Sequence, residues 1–249
     1  MIPRPGPTPI DIDPIDSEPI DPDPIDTDRR RLIAVPLAAG VLAAAGGAFA
    51  QVSEQQALID RAQITYRSMS VDRDMTHLGL YARSAEAILI VPELIRGGFF
   101  IGGAGGTGVL LARRSDLSWG YPAFYNLAGG SLGIQIGGQV SEVVLAIMTR
   151  SGLEAVQSRR VTLGADASVA AVTMGVGRSA ATGLDLDSDM YAFSRNQGLF
   201  LGGALEGTVM TPREEWNRTY YRQGATANAI LAGQFSNPGA DALRQALPQ

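Results

Sequence analysis

The spacing of hydrophobic and polar residues changes along the chain, and residues 53–86 have helical spacing. Apolar side chains repeat there every three or four positions, as on one face of a helix. These positions are Leu58, Ala62, Tyr66 and Met69. Ser53 can cap the helix, and a second short helix is predicted over residues 72–85. The apolar stripe is predicted to face the core, with contact to a membrane as the alternative.

From residue 87 onward, short apolar runs separated by glycine predict strands. The run at residues 88–91 is predicted to end at Pro92, because proline cannot donate to a β-ladder. Further strands are predicted at residues 143–148, 161–163, 166–174 and 184–193, with a short helix at 151–158. The runs are too closely spaced for β-α-β units. The predicted fold is therefore α+β, with N-terminal helices, a glycine-rich, mainly antiparallel sheet or barrel-like domain, and a short C-terminal helix.

The C-terminal region returns to helical patterning. A helix is predicted over residues 212–221, with proline in its first turn, and a shorter one over residues 226–231. Residues after Phe235 are predicted to be loosely held, as chain termini often are.

One motif occurs three times in the β-rich region. Three strand-forming residues lie between glycines at residues 98–103, 133–138 and 198–203. The first and third copies also continue alike, through residues 104–109 and 204–209. This similarity predicts two related hairpins inside one closed sheet or barrel.

The N-terminal 50 residues have the pattern of an export signal behind a low-complexity extension. Residues 1–28 repeat aspartate, proline and isoleucine, which predicts a disordered extension, a linker or a misassigned start. Three arginines at residues 29–31 precede an apolar run at 32–49, which is followed by Ala50. Such a segment is typical of a Sec or twin-arginine signal, cleaved here after Ala50. The protein is thus predicted to be periplasmic or secreted, with an uncleaved membrane anchor as the alternative.

Composition excludes several classes of function. The first 50 residues hold eight acids and four arginines, which leaves 17 acids, 16 arginines and a net charge of −1 in residues 51–249. That balance gives no reason to expect a nucleic-acid partner. Without cysteine there is no disulfide, thiolate metal site or lipid-modified N-terminal cysteine. The single histidine, His77, excludes a histidine-rich metal site and is predicted at the surface or a helix end.

Two glycine motifs resemble the sequence motifs of catalytic or cofactor sites. Residues 129–133 match the Gly-x-Ser-x-Gly nucleophile elbow, but no histidine follows the serine to act as its base. Residues 103–108 match the dinucleotide fingerprint, but a strand-forming run follows where a helix is required, so a β-turn is predicted. We therefore predict no enzyme activity and no cofactor.

Two acidic features are also predicted to be structural. Residues 185–189 resemble the start of a calcium loop, but its sixth and twelfth positions are Met190 and Asn196, so a solvated strand face is predicted. Asp166 lies in an apolar stretch and is predicted to pair with Arg178 or Arg195.

The region from Ala87 to Tyr221 resembles the SYLF domain, also called the lipid-binding SYLF or Ysc-type actin-binding family. The matching segments cover about 135 residues and occur in the same order as in the family. Each segment alone is a weak match, but together they are specific for the family. They are residues 97–111, 119–124, 129–137, 163–170, 193–200, and 216–217 with 220–221.

The resemblance implies binding of phospholipids, with phosphoinositides as the ligands of eukaryotic relatives, some of which also bind actin filaments. Membrane contact in that group is attributed to a basic amphipathic helix at the start of the domain. The matching segment here is residues 53–69, whose basic residues are only Arg61 and Arg67. Its membrane candidates are thus Leu58, Arg61, Ala62, Tyr66, Arg67 and Met69. An actin partner is not expected for an exported protein.

The leading hypothesis is a non-enzymatic phospholipid-binding protein of the cell envelope. Arginines that flank the matched segments are candidates for the lipid headgroup: Arg96, Arg159, Arg160, Arg178 and Arg195. The alternative is a structural or protein-interaction module that uses its sheet edges or self-associates. The predicted organisation is an extension at 1–28, a signal peptide at 29–50, a helical segment at 51–86, a SYLF-like β domain at 87–222 and a tail at 223–249.

Overall fold

The structure, a computed structural model, describes residues 53–98, 101–132, 137–172, 188–197, 205 and 207–249. Six α-helices lie in these ranges, with 3₁₀ turns at Arg73–Met75 and Pro238–Ala240. The helices are α1 (Glu54–Ser70), α2 (Leu78–Ser84), α3 (Arg150–Gln157), α4 (Glu214–Tyr220), α5 (Ala227–Leu231) and α6 (Asp241–Ala246). The signal and the extension predicted before residue 53 lie outside the described residues.

Eight strands form one mainly antiparallel sheet, which confirms the α+β fold class. The strands are β1 (Ala87–Gly98), β2 (Ile101–Ala112), β3 (Ala123–Leu132), β4 (Gly137–Ile147), β5 (Val161–Thr162), β6 (Val169–Val172), β7 (Met190–Gln197) and β8 (Val209–Pro212). Their order is β5-β8-β3-β2-β1-β4-β7-β6. Only β6 and β7 pair in parallel among the described strands. The strand predicted at 184–193 thus begins, in the described residues, at Met190.

The N-terminal helices form where the pattern predicts them. The Ser53 hydroxyl accepts a hydrogen bond from the backbone N–H of Gln56, which satisfies a free donor at the start of α1. The stripe of Leu58, Ala62, Tyr66 and Met69 is buried in the core. This confirms the core-facing interpretation: the four side chains cannot also contact a membrane in this structure. Arg61 and Arg67 lie on the exposed side of α1.

Both faces of the sheet carry a hydrophobic core, because side chains alternate between the faces of a strand. On β1, Leu89 and Val91 pack with residues of α3 and α5, whereas Ile88 and Ile90 pack with residues of α1, α2 and α6. Each fully buried aliphatic side chain of this kind stabilises the fold by about 1.5–3 kcal/mol. On the side of α1 and α2 the buried side chains of β1 end at Ile90, and on the other side they extend to Leu94.

Pro92 does not end the first strand, contrary to the sequence prediction. β1 continues to Gly98, and its register with β2 and with β4 shifts at this point, which is a β-bulge with one extra residue in β1. A bulge leaves a residue outside the regular ladder, so the missing N–H of proline is tolerated there. Two glycines of β2 fit against the bulge. A Cβ at Gly106 would lie 2.7 Å from the carbonyl oxygen of Glu93, and one at Gly108 equally close to that of Ile90.

The C-terminal residues are held in place, which corrects the expectation of a loose tail. Leu243 and Leu247 are buried against the helical face of the sheet. The indole N–H of Trp119 donates to the carbonyl oxygen of Pro248 over 2.7 Å. These contacts fix the last helix, α6, to the sheet.

The glycine motifs lie within strands. Residues 129–132 belong to β3, so the required strand-to-helix turn of a nucleophile elbow is absent there. Residues 103–108 belong to β2, so the β-turn predicted for them is wrong. The first copy of the repeated motif begins at Gly98, the last residue of β1, and its end lies in β2, while its residues 99–100 lie outside the described residues. The second copy enters β4 at Gly137, and the third lies outside the described residues.

Candidate functional site

The sheet extends beyond the Pro92 bulge into a part that we call the glycine-rich half. It comprises the strand segments Glu93–Gly98 of β1, Ile101–Thr107 of β2, Asn126–Leu132 of β3 and Gly137–Glu142 of β4, together with β8. One of its two faces is on the same side of the sheet as α1 and α2, and α1 borders it at Glu142, which accepts a hydrogen bond from Thr65. We call this surface the open face.

Paired residues form three successive rows across the open face. Nearest the helices is a polar row of Glu93, Thr107, Asn126 and Thr211. The next is an apolar row of Val140, Ile95, Gly105, Ala128 and Val209. The last is a glycine row of Gly138, Gly97, Gly103 and Gly130. The surface thus changes from polar to apolar to side-chain-free towards the strand ends.

Two side chains of the apolar row are unusually accessible for their type. Ile95 is 52% exposed and Val140 is 38% exposed, although they lie on the central strands β1 and β4. Their neighbours in the glycine row have no side chains to cover them. The polar row is held by hydrogen bonds instead: Thr107 donates to Asn126, and Arg213 donates to Thr107 while stacking on Trp216.

The glycines of the sheet fall into two groups with different reasons to lack a side chain. At Gly106 and Gly108, any Cβ would collide with the backbone of the bulge. At Gly97 and Gly130, a Cβ would meet nothing within 4 Å, and at Gly103 only a carbonyl oxygen at 3.9 Å. None of these last three has a positive φ. The fold itself therefore does not require glycine at these three positions of the glycine row.

Arg96 lies on the opposite face of the glycine-rich half. It pairs with Ala104 and Gln139, and it shares its side of β1 with the buried Leu94. The side chain is half-buried, and its Nε atom is fully buried with no hydrogen-bond acceptor in the described part of the chain. This burial lowers the pKa of the Arg96 guanidinium. Of the candidate arginines that the structure describes, it is the one with a buried guanidinium nitrogen that has no acceptor.

The other candidate arginines are dispersed. Arg195 donates to Glu142 and to Ser68, so its charge is neutralised inside the fold. Asp166, which was predicted to pair with an arginine, instead accepts a hydrogen bond from the backbone N–H of Thr162, so the predicted pair with Arg195 is wrong. Arg178 lies outside the described residues.

Arg159 and Arg160 are exposed just before β5 and have no ion-pair partner in the described ranges. Arg160 lines a cleft of about 420 Å³ at the edge of the open face. The rest of its lining is small or short: Ala128, Gly129, Gly130, Gly207, Val209 and Thr211. A cation thus stands directly beside the apolar and glycine rows. The sequence showed both arginines but not this surface, because the rows depend on strand register.

Asp189 is a structural acid rather than part of a solvated strand face, contrary to the sequence prediction. Its carboxylate accepts hydrogen bonds from the hydroxyls of Thr149, Ser151 and Ser168. These bonds, that from Thr149 foremost, lower the pKa of Asp189. The carboxylate thereby joins the start of α3 to the start of β7. Residues 185 and 187 lie outside the described residues.

The described residues contain no group of three His, Asp or Glu side chains that could hold a metal ion. His77 is exposed beside the start of α2, as predicted. No described helix has the length and apolarity needed to cross a membrane.

Comparisons with known proteins identify the family. Residues 128–249 match the family model described as "Ysc84: Las17-binding protein actin regulator". An SH3 domain-containing protein of Schizosaccharomyces pombe is 31% identical over 155 residues, 61% of this chain and 36% of that protein. LAS seventeen-binding protein 3 of Saccharomyces cerevisiae is 30% identical over 155 residues, 61% of this chain and 34% of that protein.

The human relative is SH3 domain-containing YSC84-like protein 1. It is 31% identical over 151 residues, 60% of this chain and 44% of that protein. The shared region thus spans less than half of each of these relatives. The family description names binding and regulation of other proteins rather than a reaction. The predicted resemblance to the Ysc84, or SYLF, family is thereby confirmed, with the family model matching residues 128–249.

Proposed function

We propose that the protein is a non-enzymatic binding protein whose glycine-rich half contacts an anionic phospholipid surface. The observation that carries this proposal is the apolar row of the open face. Ile95 and Val140 are exposed at 52% and 38%, beside a row of glycines that leaves them uncovered. Exposed apolar side chains on a flat surface favour contact with another apolar layer.

Electrostatics supports an anionic surface over a neutral one. Arg160 lines the cleft at the edge of the open face and Arg159 precedes it in sequence, and neither is paired with an acid in the described part of the chain. A basic residue close to an anionic bilayer contributes about 1 kcal/mol of attraction. In this arrangement the apolar row meets the acyl region while the arginines meet the phosphates.

The test is flotation of the full chain with vesicles of phosphatidylglycerol or of phosphatidylcholine. We expect more protein on the anionic vesicles, and less of that excess as salt is raised. The amount on phosphatidylcholine is the baseline for any binding by the apolar run at residues 32–49. Replacing Ile95 and Val140 together by glutamine removes about 1–2 kcal/mol of apolar contact, so the anionic excess falls about tenfold.

The matched control replaces two exposed apolar residues elsewhere. Ile64 of α1 and Leu80 of α2 are 65% and 64% exposed, and neither lies on the open face. Their double glutamine variant is expected to float like the wild type. Equal binding to both kinds of vesicle, or an Ile95→Gln, Val140→Gln variant that floats normally, contradicts the proposal.

The cell envelope is the proposed location. The arginines at residues 29–31, the apolar run and the small residues before Gln51 support export with cleavage after Ala50. Fractionation of cells that express the chain, followed by N-terminal sequencing, tests this. A periplasmic or secreted product that begins at Gln51 is expected, and an uncleaved cytoplasmic product contradicts it.

A protein partner is the second candidate, favoured by the names of the relatives. The matched family is described as an actin regulator, and one yeast relative is named for binding LAS seventeen. Under this candidate, the open face or an edge of the sheet would hold a protein surface or a second copy. Co-sedimentation with actin filaments tests the family's partner, and light scattering after size exclusion tests self-association. Pelleting with actin or a lipid-independent oligomer favours this candidate.

A further inference from the structure

Arg96 differs from the other partly buried arginines in how its donors are used. Arg113 donates to the carbonyl oxygens of Ala85, Leu117 and Ala82. Arg244 donates to Trp119 and to Asp241. Arg96 has no such acceptor in the described part of the chain, and its Nε is completely buried.

An ionised group that leaves water without a partner is unfavourable for folding. Arginine does not escape this cost by losing its proton, because a guanidinium stays charged in proteins. The fold therefore carries an uncompensated half-buried cation at this point of the sheet. Buried donors without an acceptor are typical of positions where a ligand supplies the missing partner.

Among the described residues, the neighbours of Arg96 on its own face leave space for that ligand. On its own face the cross-strand neighbours are Ala104 and Gln139. The next row towards the strand ends holds Gly137, Gly98 and Gly102, and it continues with Ser131 on β3. A molecule that reaches Arg96 from the strand ends meets backbone, with the Gln139 side chain beside it as a further polar group.

We propose that Arg96 and the adjoining glycines Gly98, Gly102 and Gly137 form a binding site for the oxyanion of a phosphate ester. A guanidinium presents a planar set of donors to phosphate oxygens, and a partly water-excluded position strengthens the attraction. The choice of phosphate over other oxyanions rests on the function proposed above. The phosphate can belong to a lipid headgroup or to a free ester, and the experiment separates the two.

The experiment is calorimetric titration of the full chain with two soluble probes, monomeric dihexanoyl phosphatidylglycerol and inorganic phosphate. The wild type is expected to bind the lipid, and Arg96→Met to bind it about 10- to 100-fold more weakly. Arg96→Lys keeps the charge but loses the planar donors, so its affinity for the lipid is expected to lie between those of the wild type and Arg96→Met. The control is Arg218→Met, an exposed arginine of α4, with affinity within about twofold of the wild type.

Thermal melting separates a binding role from a structural one. If Arg96 serves a ligand, Arg96→Met without ligand melts at or above the wild-type temperature, because an uncompensated buried charge is gone. A lower melting temperature with unchanged lipid affinity overturns the inference, and so does a wild type that binds neither probe. Binding of inorganic phosphate alone supports the site but assigns it to free esters. Vesicle binding that survives Arg96→Met, with unchanged affinity for both probes, overturns the site and leaves the proposed function standing.

Discussion

The two halves of the sheet are built from the same strands and differ in what covers them. Before the Pro92 bulge, β1 presents Ile88 and Ile90 to one core and Leu89 and Val91 to the other, all fully buried. After the bulge, the open face of the same strand presents Glu93, Ile95 and Gly97 to solvent. One continuous hydrogen-bonded ladder therefore supports both a stabilising half and an exposed half.

Within one domain, the covered half therefore provides stability, whereas the exposed half is available for contact with a partner. In the covered half, side chains are large and packed, so their loss lowers the free energy of unfolding. In the glycine-rich half, side chains are small or absent even where space is free, as at Gly97 and Gly130. Glycine in a strand is less stable than alanine by about 0.5–1 kcal/mol. The exposed half is thus less stable than it could be, and its surface carries few side chains.

The largest effect is expected from truncating a core residue of the covered half. Phe124 is fully buried between the sheet and the aromatic rings of Trp216 and Tyr220, so Phe124→Ala is expected to cost about 3–5 kcal/mol. Ile95→Ala in the exposed half is expected to cost less than about 1 kcal/mol. Urea denaturation measures both. Similar losses at the two sites would show that the halves are not energetically distinct.

A smaller effect is expected where the two halves join. In Gly108→Ala, the new methyl group would lie 2.7 Å from the carbonyl oxygen of Ile90 and 2.8 Å from Cγ2 of Val91. We expect a loss of about 2–3 kcal/mol, since neither backbone nor core can move freely. Gly103→Ala is the matched variant, with its nearest atom at 3.9 Å. If its denaturation midpoint falls as far as that of Gly108→Ala, the distinction between the two glycine groups is wrong.

The smallest effect, and one of opposite sign, is expected in the glycine row. Gly130→Ala places its methyl group in open space, so stability should rise by about 0.5–1 kcal/mol through the lower entropy of the unfolded chain. Under the proposed function, the same variant should bind anionic vesicles less well. Denaturation and flotation on one sample test both effects. A destabilised Gly130→Ala would mean that the fold needs this glycine.

Local signals predicted the local structure correctly. The Ser53 cap and the short helices α3 and α5 follow from residues close in sequence. The failures concern long-range pairing. Pro92 and residues 103–108 were expected to interrupt strands, but the bulge that accommodates them exists only when β1 lies between β2 and β4. The C-terminal residues are ordered by contacts such as that of Trp119 with Pro248, which no local pattern contains.

The candidate site was predictable only in part for the same reason. The sequence alone identified Arg96, Arg160 and the glycine clusters as candidates, because their residue types can be read without the structure. It could not tell that Arg195 is neutralised by Glu142 while Arg96 has no such partner, since that depends on which strands are adjacent. Nor could it distinguish Gly108 from Gly103, which differ only in how closely β1 approaches.

The extra residue at Pro92 also inverts the phase of the inside–outside alternation along β1. Even-numbered residues point towards the helices α1 and α2 up to Ile90, and odd-numbered residues point to that side from Glu93 onward. The neighbouring strands β2 and β4 keep one phase throughout. Without the inversion, Ile95 and Arg96 would exchange sides, so that the apolar side chain would be covered and the cation would stand on the open face. A single inserted residue thus decides which of the two surfaces is apolar and which is charged.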